Sequence, residues 1–179
     1  MEILKRYPLM VVSGLAALTI TIVQLTYVNP YINPGHEGLI NPAQLSLQLS
    51  FFEERGLAVI EGWGPGGAER YLDIIWVDIL WPFTYGPFFF MLIRTLEGNT
   101  WAAWLPILEG VTNLVETSIE IYWVTQIGTD AQLGGAFFFH SCVAAFKWFI
   151  LVPSYFIHSA ILLRRWYASG MPPSGLPSK

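Results

Sequence analysis

The chain is poor in charge. Only 12% of its 179 residues are Asp, Glu, Lys or Arg, against roughly 25% in soluble domains. So little charge cannot clothe a water-facing surface, which excludes an ordinary soluble domain. Cysteine is nearly absent: Cys142 stands alone in an apolar run. It rules out an intrachain disulfide, offers no thiolate cluster, and reads as a small buried residue. The histidines are His36, His140 and His158. His36 reads as solvated, in a turn-rich loop. His140 and His158 are too far apart along a helix to share an ion, and no His/Cys/carboxylate spacing predicts a metal site. There is no basic tract, and the net charge is −4, so nucleic acid is not an expected partner. No Gly-rich phosphate loop, nucleophile elbow or internal repeat is present, and no cofactor is identified.

What the chain has is apolar and aromatic. Hydrophobic residues make up 54% and aromatics 16%, and the mean hydropathy is +0.48. This is the composition of an integral membrane protein with aromatic belts at its interfaces. Four apolar runs, at about 8–28, 72–94, 101–125 and 136–163, each reach the roughly 20 residues that cross a bilayer. The expected fold is therefore all-α, a bundle of four transmembrane helices over residues 1–167, with a disordered tail at 168–179 (SGMPPSGLPSK and its approach). The first run follows Lys5 and Arg6 as a signal peptide would. It is too long for one and lacks a small-x-small cleavage site, so it reads as a retained span. Lys5, Arg6, Arg94, Arg164, Arg165 and Lys179 flank one side, whereas the turn QIGTDAQLGG has no Lys or Arg. Arg55 and Arg70 fall in the long loop at 29–71 among acidic residues, where they count weakly. The positive-inside rule then puts both termini and the tail in the cytoplasm. The loop at 29–71 opens on turn formers, VNPYINPGHEGLINP. It continues as a short amphipathic helix over 43–61, whose Leu45, Leu49, Phe52 and Leu57 are placed to cover the outer end of the bundle or to lie on the membrane surface. GWGPGG closes it.

Ionisable groups inside a bilayer cost roughly 2.5 to 3.5 kcal/mol each on insertion scales and usually face the bundle interior. Glu109, Asn113, Glu116 and Glu120 recur at i, i+4, i+7 and i+11, which places them within about 60° on one helix face. His140, Lys147, Ser154 and His158 form a second stripe on the fourth run, about 40° wide. Asp78 and Tyr85 share a face of the second run, with Asp73 a little above. Ser13, Ala17 and Gln24 line one side of the first. Counting rise per residue, Asp78, Glu116 and Lys147 sit at one depth, roughly 12 to 16 Å from the outer surface. The two main stripes are expected to face each other, with Lys147 paired to Glu116 and Asp78 as its second acceptor. Pro82, Pro87, Pro106 and Pro153 fall within runs two to four, where each frees a backbone carbonyl.

Two resemblances follow from these motifs. From Ser50 onward, FFEERGLAVIEGWGPGGAERYLDIIWVDILWPFTYG, LPILEGVTNLVET and AFKWFIL resemble a widespread group of uncharacterised bacterial four-span proteins. That group shows a Gly-Pro-x-Gly turn, a Tyr and an Asp opening span two, Asp-x-x-Glu-Asn in span three and Lys-Trp in span four. Here Asn113, Glu116 and Thr117 stand at the span-three positions. The likeness implies the same topology, an inner-membrane location and the Glu116–Lys147 pairing. YGPFFFMLI and KWFILVPSY, more locally, resemble the EXPERA superfamily of emopamil-binding sterol isomerases and sigma-2-type receptors. That likeness implies a pocket for a sterol-like ligand, with Asp78 as a pocket acid ahead of Tyr-Gly-Pro. The superfamily's preceding His and Glu and its span-four Asn have no counterpart here.

Three readings of function stay open. In the first, the protein binds a lipophilic molecule (lipid, sterol or isoprenoid) in a polar pocket of Asp78, Tyr85, Glu109, Asn113, Glu116, Glu120, His140 and Lys147. In the second, Glu116, Lys147 and His140 work as acid and base in a membrane-embedded isomerase. In the third, the chain is an accessory subunit whose aromatic faces meet other membrane proteins. Membrane lipid is a partner in all three.

Overall fold

The computed structural model describes residues 7–32, 45, 47–127 and 134–169. The loop around His36, the basic residues Lys5, Arg6 and Lys179, most of the QIGTDAQLGG turn, and residues 170–179 lie outside the described residues. Every regular element among those described is helical.

Helix α1, Pro8–Val23, starts on Pro8, where a missing N–H leaves nothing unsatisfied. It runs on through a π turn, Gln24–Val28, and a last turn, Asn29–Ile32. The predicted helix over 43–61 is broken. Phe51 takes a left-handed φ of 56° and Phe52 is extended. The Phe51 N–H donates to Ser141 Oγ at 2.9 Å, which ties the break to the bundle. Helix α2 is only Glu53–Gly62, with Glu53 and Glu54 in its first turn, where the helix dipole favours them. Leu45 and Phe52 are exposed rather than covering, and Leu47 and Ile60 are buried in their place. Gly56 lies flat on Phe137, with no room for a Cβ.

The GWGPGG turn ends on Gly66 at φ 73°, and α3 (Gly67–Ile74), α4 (Trp76–Leu80) and α5 (Pro82–Glu97) follow as one interrupted rod. A short turn at Trp101–Trp104 leads into α6, Leu105–Thr125. The last rod comprises α7 (Gly134–Phe146), a π turn (Lys147–Leu151) and α8 (Val152–Ser169). Three helical runs are long and apolar enough to cross a membrane: Pro8–Ile32, Gly67–Glu97 and Gly134–Ala168. Helix α6 has 21 residues, but Glu109, Glu116 and Glu120 keep it out of that group. Leu9, Leu15, Phe138, Phe149 and Ile157 point outward from the rods, a surface suited to hydrocarbon rather than water. Cys142, expected to be buried, is on this exterior.

Helix α5 is the central post, with α1, α6 and α8 packed against it. It meets α6 closely. A Cβ on Gly110 would be 3.2 Å from Pro82 Cβ, and one on Gly86 would be 3.5 Å from the Pro106 carbonyl. Small residues at such crossings let backbones approach. Apolar clusters close the two ends of the bundle. One holds Trp63, Tyr71, Trp123 and Phe137, the other Ile93, Ala103, Tyr155 and Leu162. Along α6 the buried polar residues lie between them.

The second π turn explains one departure from the predicted faces. His140 and Lys147 are buried as expected, but Ser154 is exposed and hydrogen-bonds to the Ile150 carbonyl. A π turn adds one residue to the helical repeat, so the inward face passes from Lys147 to Leu151, Tyr155 and Ser159. His158 is turned outward to Glu97, 2.6 Å from its Oε2.

Candidate functional site

Along α6 the bundle holds a polar network and, one to two turns further, a cavity. In the network Lys147 Nζ contacts Glu116 Oε2, as the stripes predict, and donates to Asn113 Oδ1 at 2.9 Å. Asn113, not Asp78, is thus the second acceptor. The reason lies in Pro82. It has no N–H to offer the carbonyl four residues back, so the Asp78 carbonyl is freed, and Asn113 Nδ2 donates to it at 3.1 Å. The Asp78 carboxylate accepts from Gln24 Nε2 in the first π turn.

Glu120 is held from both sides. Tyr71 donates to its Oε2 at 2.5 Å, and His140 Nε2 lies 2.9 Å from its Oε1. The same Nε2 is 3.9 Å from Glu116 Oε1. One donor atom each from Glu116, Glu120 and His140 lie within 4.8 Å of one another, a grouping across two helices that no spacing along one helix shows. The Trp123 ring stands edge-on to His140, 5.9 Å between centroids, with Phe137 against its other side at 4.4 Å. Tyr71 was missed by the sequence reading, which placed Asp73 on this face; Asp73 is exposed. The signal was present, because Tyr71, Asp78 and Tyr85 repeat every seven residues.

The remaining two candidates, Tyr85 and Glu109, stand apart from the network. They line a cavity of about 350 Å³ whose walls include Gly14 and Leu18 of α1, Phe88 of α5, and Trp148 and Phe156 of the last rod. Both side chains are buried, at 5% and 3% exposure. They face each other closely enough to interact, yet Tyr85 Oη and Glu109 Oε2 make no hydrogen bond of normal geometry. The same holds for Trp81 Nε1 on the same wall. Buried polar groups left so are uncommon and point to an absent partner. Leu18 and Phe156, on the flanking helices, are about half exposed, so the cavity reaches the apolar exterior between α1 and α8. Trp148 lines it while its ring lies 5.0 Å from Lys147 Nζ. Trp81 carried no sequence signal among eight tryptophans, whereas Trp148 stood in the Lys-Trp motif of the resemblances without being assigned to the pocket. Two larger depressions, near Arg94 and near His158, lie at exposed helix ends and gather no comparable set of buried groups.

All eight expected pocket residues are therefore buried, six in the network and two at the cavity. Comparison with protein-family models, curated proteins and solved structures finds no match for the chain.

Proposed function

We propose that the protein is a four-span membrane protein, both termini cytoplasmic, that binds a lipophilic molecule in the cavity between α1 and α8. The observation that carries this reading is the set of buried polar groups, Trp81 Nε1, Tyr85 Oη and Glu109 Oε2, that make no hydrogen bond of normal geometry among the described residues, in a largely apolar wall. They call for a ligand with a polar head that can donate to Glu109 and accept from Trp81. The apolar remainder and the opening toward the exterior suit a lipid, sterol or isoprenoid entering sideways from the bilayer. About 350 Å³ lies within the range of small-molecule sites, roughly 300 to 1,000 Å³. The fourth span is α6, whose glutamates face inward against the three apolar rods. Arg94, Arg164 and Arg165 would mark the cytoplasmic end.

An isomerase reading changes its residues on this structure. A molecule in the cavity meets Glu109 and Tyr85, whereas Glu116, His140 and Lys147 are engaged with one another behind Trp148. Acid–base work would fall to Glu109. The test is lipidomics and native mass spectrometry of protein purified in mild detergent, beside a Glu109→Leu/Tyr85→Phe variant. A lipid species enriched on the wild type and lost from the variant is expected. A wild type carrying only the bulk lipid mixture would sink the proposal.

A further inference from the structure

Glu116 and Glu120 are one helical turn apart on α6, and His140 faces both from α7. Each glutamate turns Oε1 toward His140 Nε2, at 3.9 and 2.9 Å. Each has its other oxygen held from behind, Glu116 Oε2 by the Lys147 ammonium and Glu120 Oε2 by the Tyr71 hydroxyl. Ligating carboxylates are commonly fixed in this way by an outer shell of donors, which leaves one oxygen free for an ion. Metal bonds of about 2.1 Å to nitrogen and oxygen put neighbouring donors roughly 3 to 3.5 Å apart. His140 Nε2 is 2.9 Å from Glu120 Oε1 and 3.9 Å from Glu116 Oε1, and the donor atoms lie within 4.8 Å of one another. An ion would replace the His140–Glu120 hydrogen bond and draw the three donors together.

A second observation points the same way. Glu116 Oε1 accepts no hydrogen bond, although its residue is only 1% exposed and the atom faces the other two donors. Charge adds a third. Glu109, Glu116 and Glu120 are buried on one helix, and among the described residues Lys147 is the one buried ammonium or guanidinium. An apolar surround penalises such an excess of carboxylate, and a divalent ion between Glu116 and Glu120 offsets it. Trp123 and Phe137 wall the cluster from the side of α2 and keep it dry.

We propose that Glu116, Glu120 and His140 bind one first-row divalent transition-metal ion, with Tyr71 and Lys147 as positioning residues. Two carboxylates and an imidazole without thiolate suit Zn²⁺, Mn²⁺ or Fe²⁺ and not a soft Cu⁺ ion. This does not rest on ligand binding in the cavity, which uses none of the three residues.

The experiment uses full-length protein purified through a tag without histidines and in the absence of chelator. Elemental analysis should find close to one transition-metal ion per chain. After EDTA and dialysis the thermal midpoint should fall, and Co²⁺ added alone should give a visible d–d spectrum that Zn²⁺ competes away. Glu120→Gln and His140→Gln should abolish that spectrum, and Tyr71→Phe should weaken Co²⁺ binding roughly 10- to 100-fold. Glu97→Gln/His158→Gln, which removes the exposed His–Glu pair, should leave it unchanged. Loss of binding in that surface variant would assign the ion to the exterior and overturn the proposal. So would a wild type that holds no stoichiometric metal, shows no Co²⁺ spectrum and melts alike with and without EDTA. The wild-type result stands even if an inner variant fails to fold.

Discussion

The two polar regions of this bundle share α6 and differ in how their charges are met. Around Glu116 and Glu120 the carboxylates meet charged or hydrogen-bonding side chains among the described residues, Lys147, Tyr71 and His140, although Glu116 Oε1 and His140 Nδ1 are left without a hydrogen bond. Around Glu109, which is buried too, the partnering is looser. Tyr85 faces it closely enough to interact, yet neither Tyr85 Oη nor Glu109 Oε2 makes a hydrogen bond of normal geometry among the described residues. A membrane bundle tolerates carboxylates in two ways, by building their partners in or by leaving room for one to arrive. The first arrangement fixes helices relative to one another. The second is worth its destabilisation only when something binds.

Substitutions should separate the two regions, and the largest effect is expected in the network. Lys147→Met strips Glu116 of its ammonium. Breaking a buried pair at one end leaves an uncompensated charge and costs about 3 to 5 kcal/mol. The double variant Lys147→Met/Glu116→Leu should recover much of that loss, because the carboxylate stripped of its ammonium is then gone as well. Unfolding of the purified protein in mixed detergent–SDS micelles measures both. Equal instability of single and double variants would show that the pair is not the source.

Next comes Tyr71→Phe. It deletes the hydroxyl that donates to Glu120 and leaves the ring in place against Trp63. Hydrogen bonds to charged groups contribute about 1.5 to 3 kcal/mol, and the same unfolding assay should show a loss of that size. Asp73→Asn, two residues on but exposed, should change nothing measurable. If the two variants behave alike, Tyr71 is not part of the network.

The network also depends on its cover. Gly56 admits the Phe137 ring, Phe137 packs on Trp123, and Trp123 on His140. A Cβ at 56 would lie 1.9 Å from Phe137, so Gly56→Ala must push the ring. Overpacking of this kind costs about 1 to 3 kcal/mol. The shift should also appear in the His140 ring resonances, whereas Gly62→Ala, with open space around it, should leave them in place.

Much of this was legible in the sequence, and the rest was not for identifiable reasons. The inward stripe of α6 followed from a regular 3.6-residue period, because nothing interrupts that helix between Leu105 and Thr125. Lys147 with Glu116 followed from depth and facing. The stripe on the last rod failed beyond Lys147 because the π turn at Lys147–Leu151 adds a residue, and hydropathy carries no trace of it. Asp78 was placed on the right face but given the wrong partner. Its carboxylate belongs to Gln24 and its carbonyl to Asn113, and only the consequence of Pro82 for the carbonyl four residues back predicts the latter. The division of the eight residues into a network and a cavity was out of reach, since Tyr85 and Glu109 lie on the same faces as the others. What separates them is the position of α1, set by contacts such as Gly14 against Phe88.

The smallest effect on stability is expected where the effect on binding is largest. Glu109→Leu removes a buried carboxylate whose Oε2 makes no hydrogen bond of normal geometry among the described residues. Deleting such a group does not break a pair, and an apolar side chain of similar size should leave the unfolding transition within about 1 kcal/mol of wild type, or raise it. The same change removes the acceptor that the cavity offers to a polar head, so a bound lipophile should be lost from the purified protein. Lys147→Met should show the reverse pattern, destabilised yet still loaded under conditions where it remains folded. Both are measured on one preparation, by thermal unfolding and by extraction of bound lipid. If Glu109→Leu instead proves as damaging as Lys147→Met and keeps its lipid, the two regions are one structural unit and the cavity has no ligand of its own.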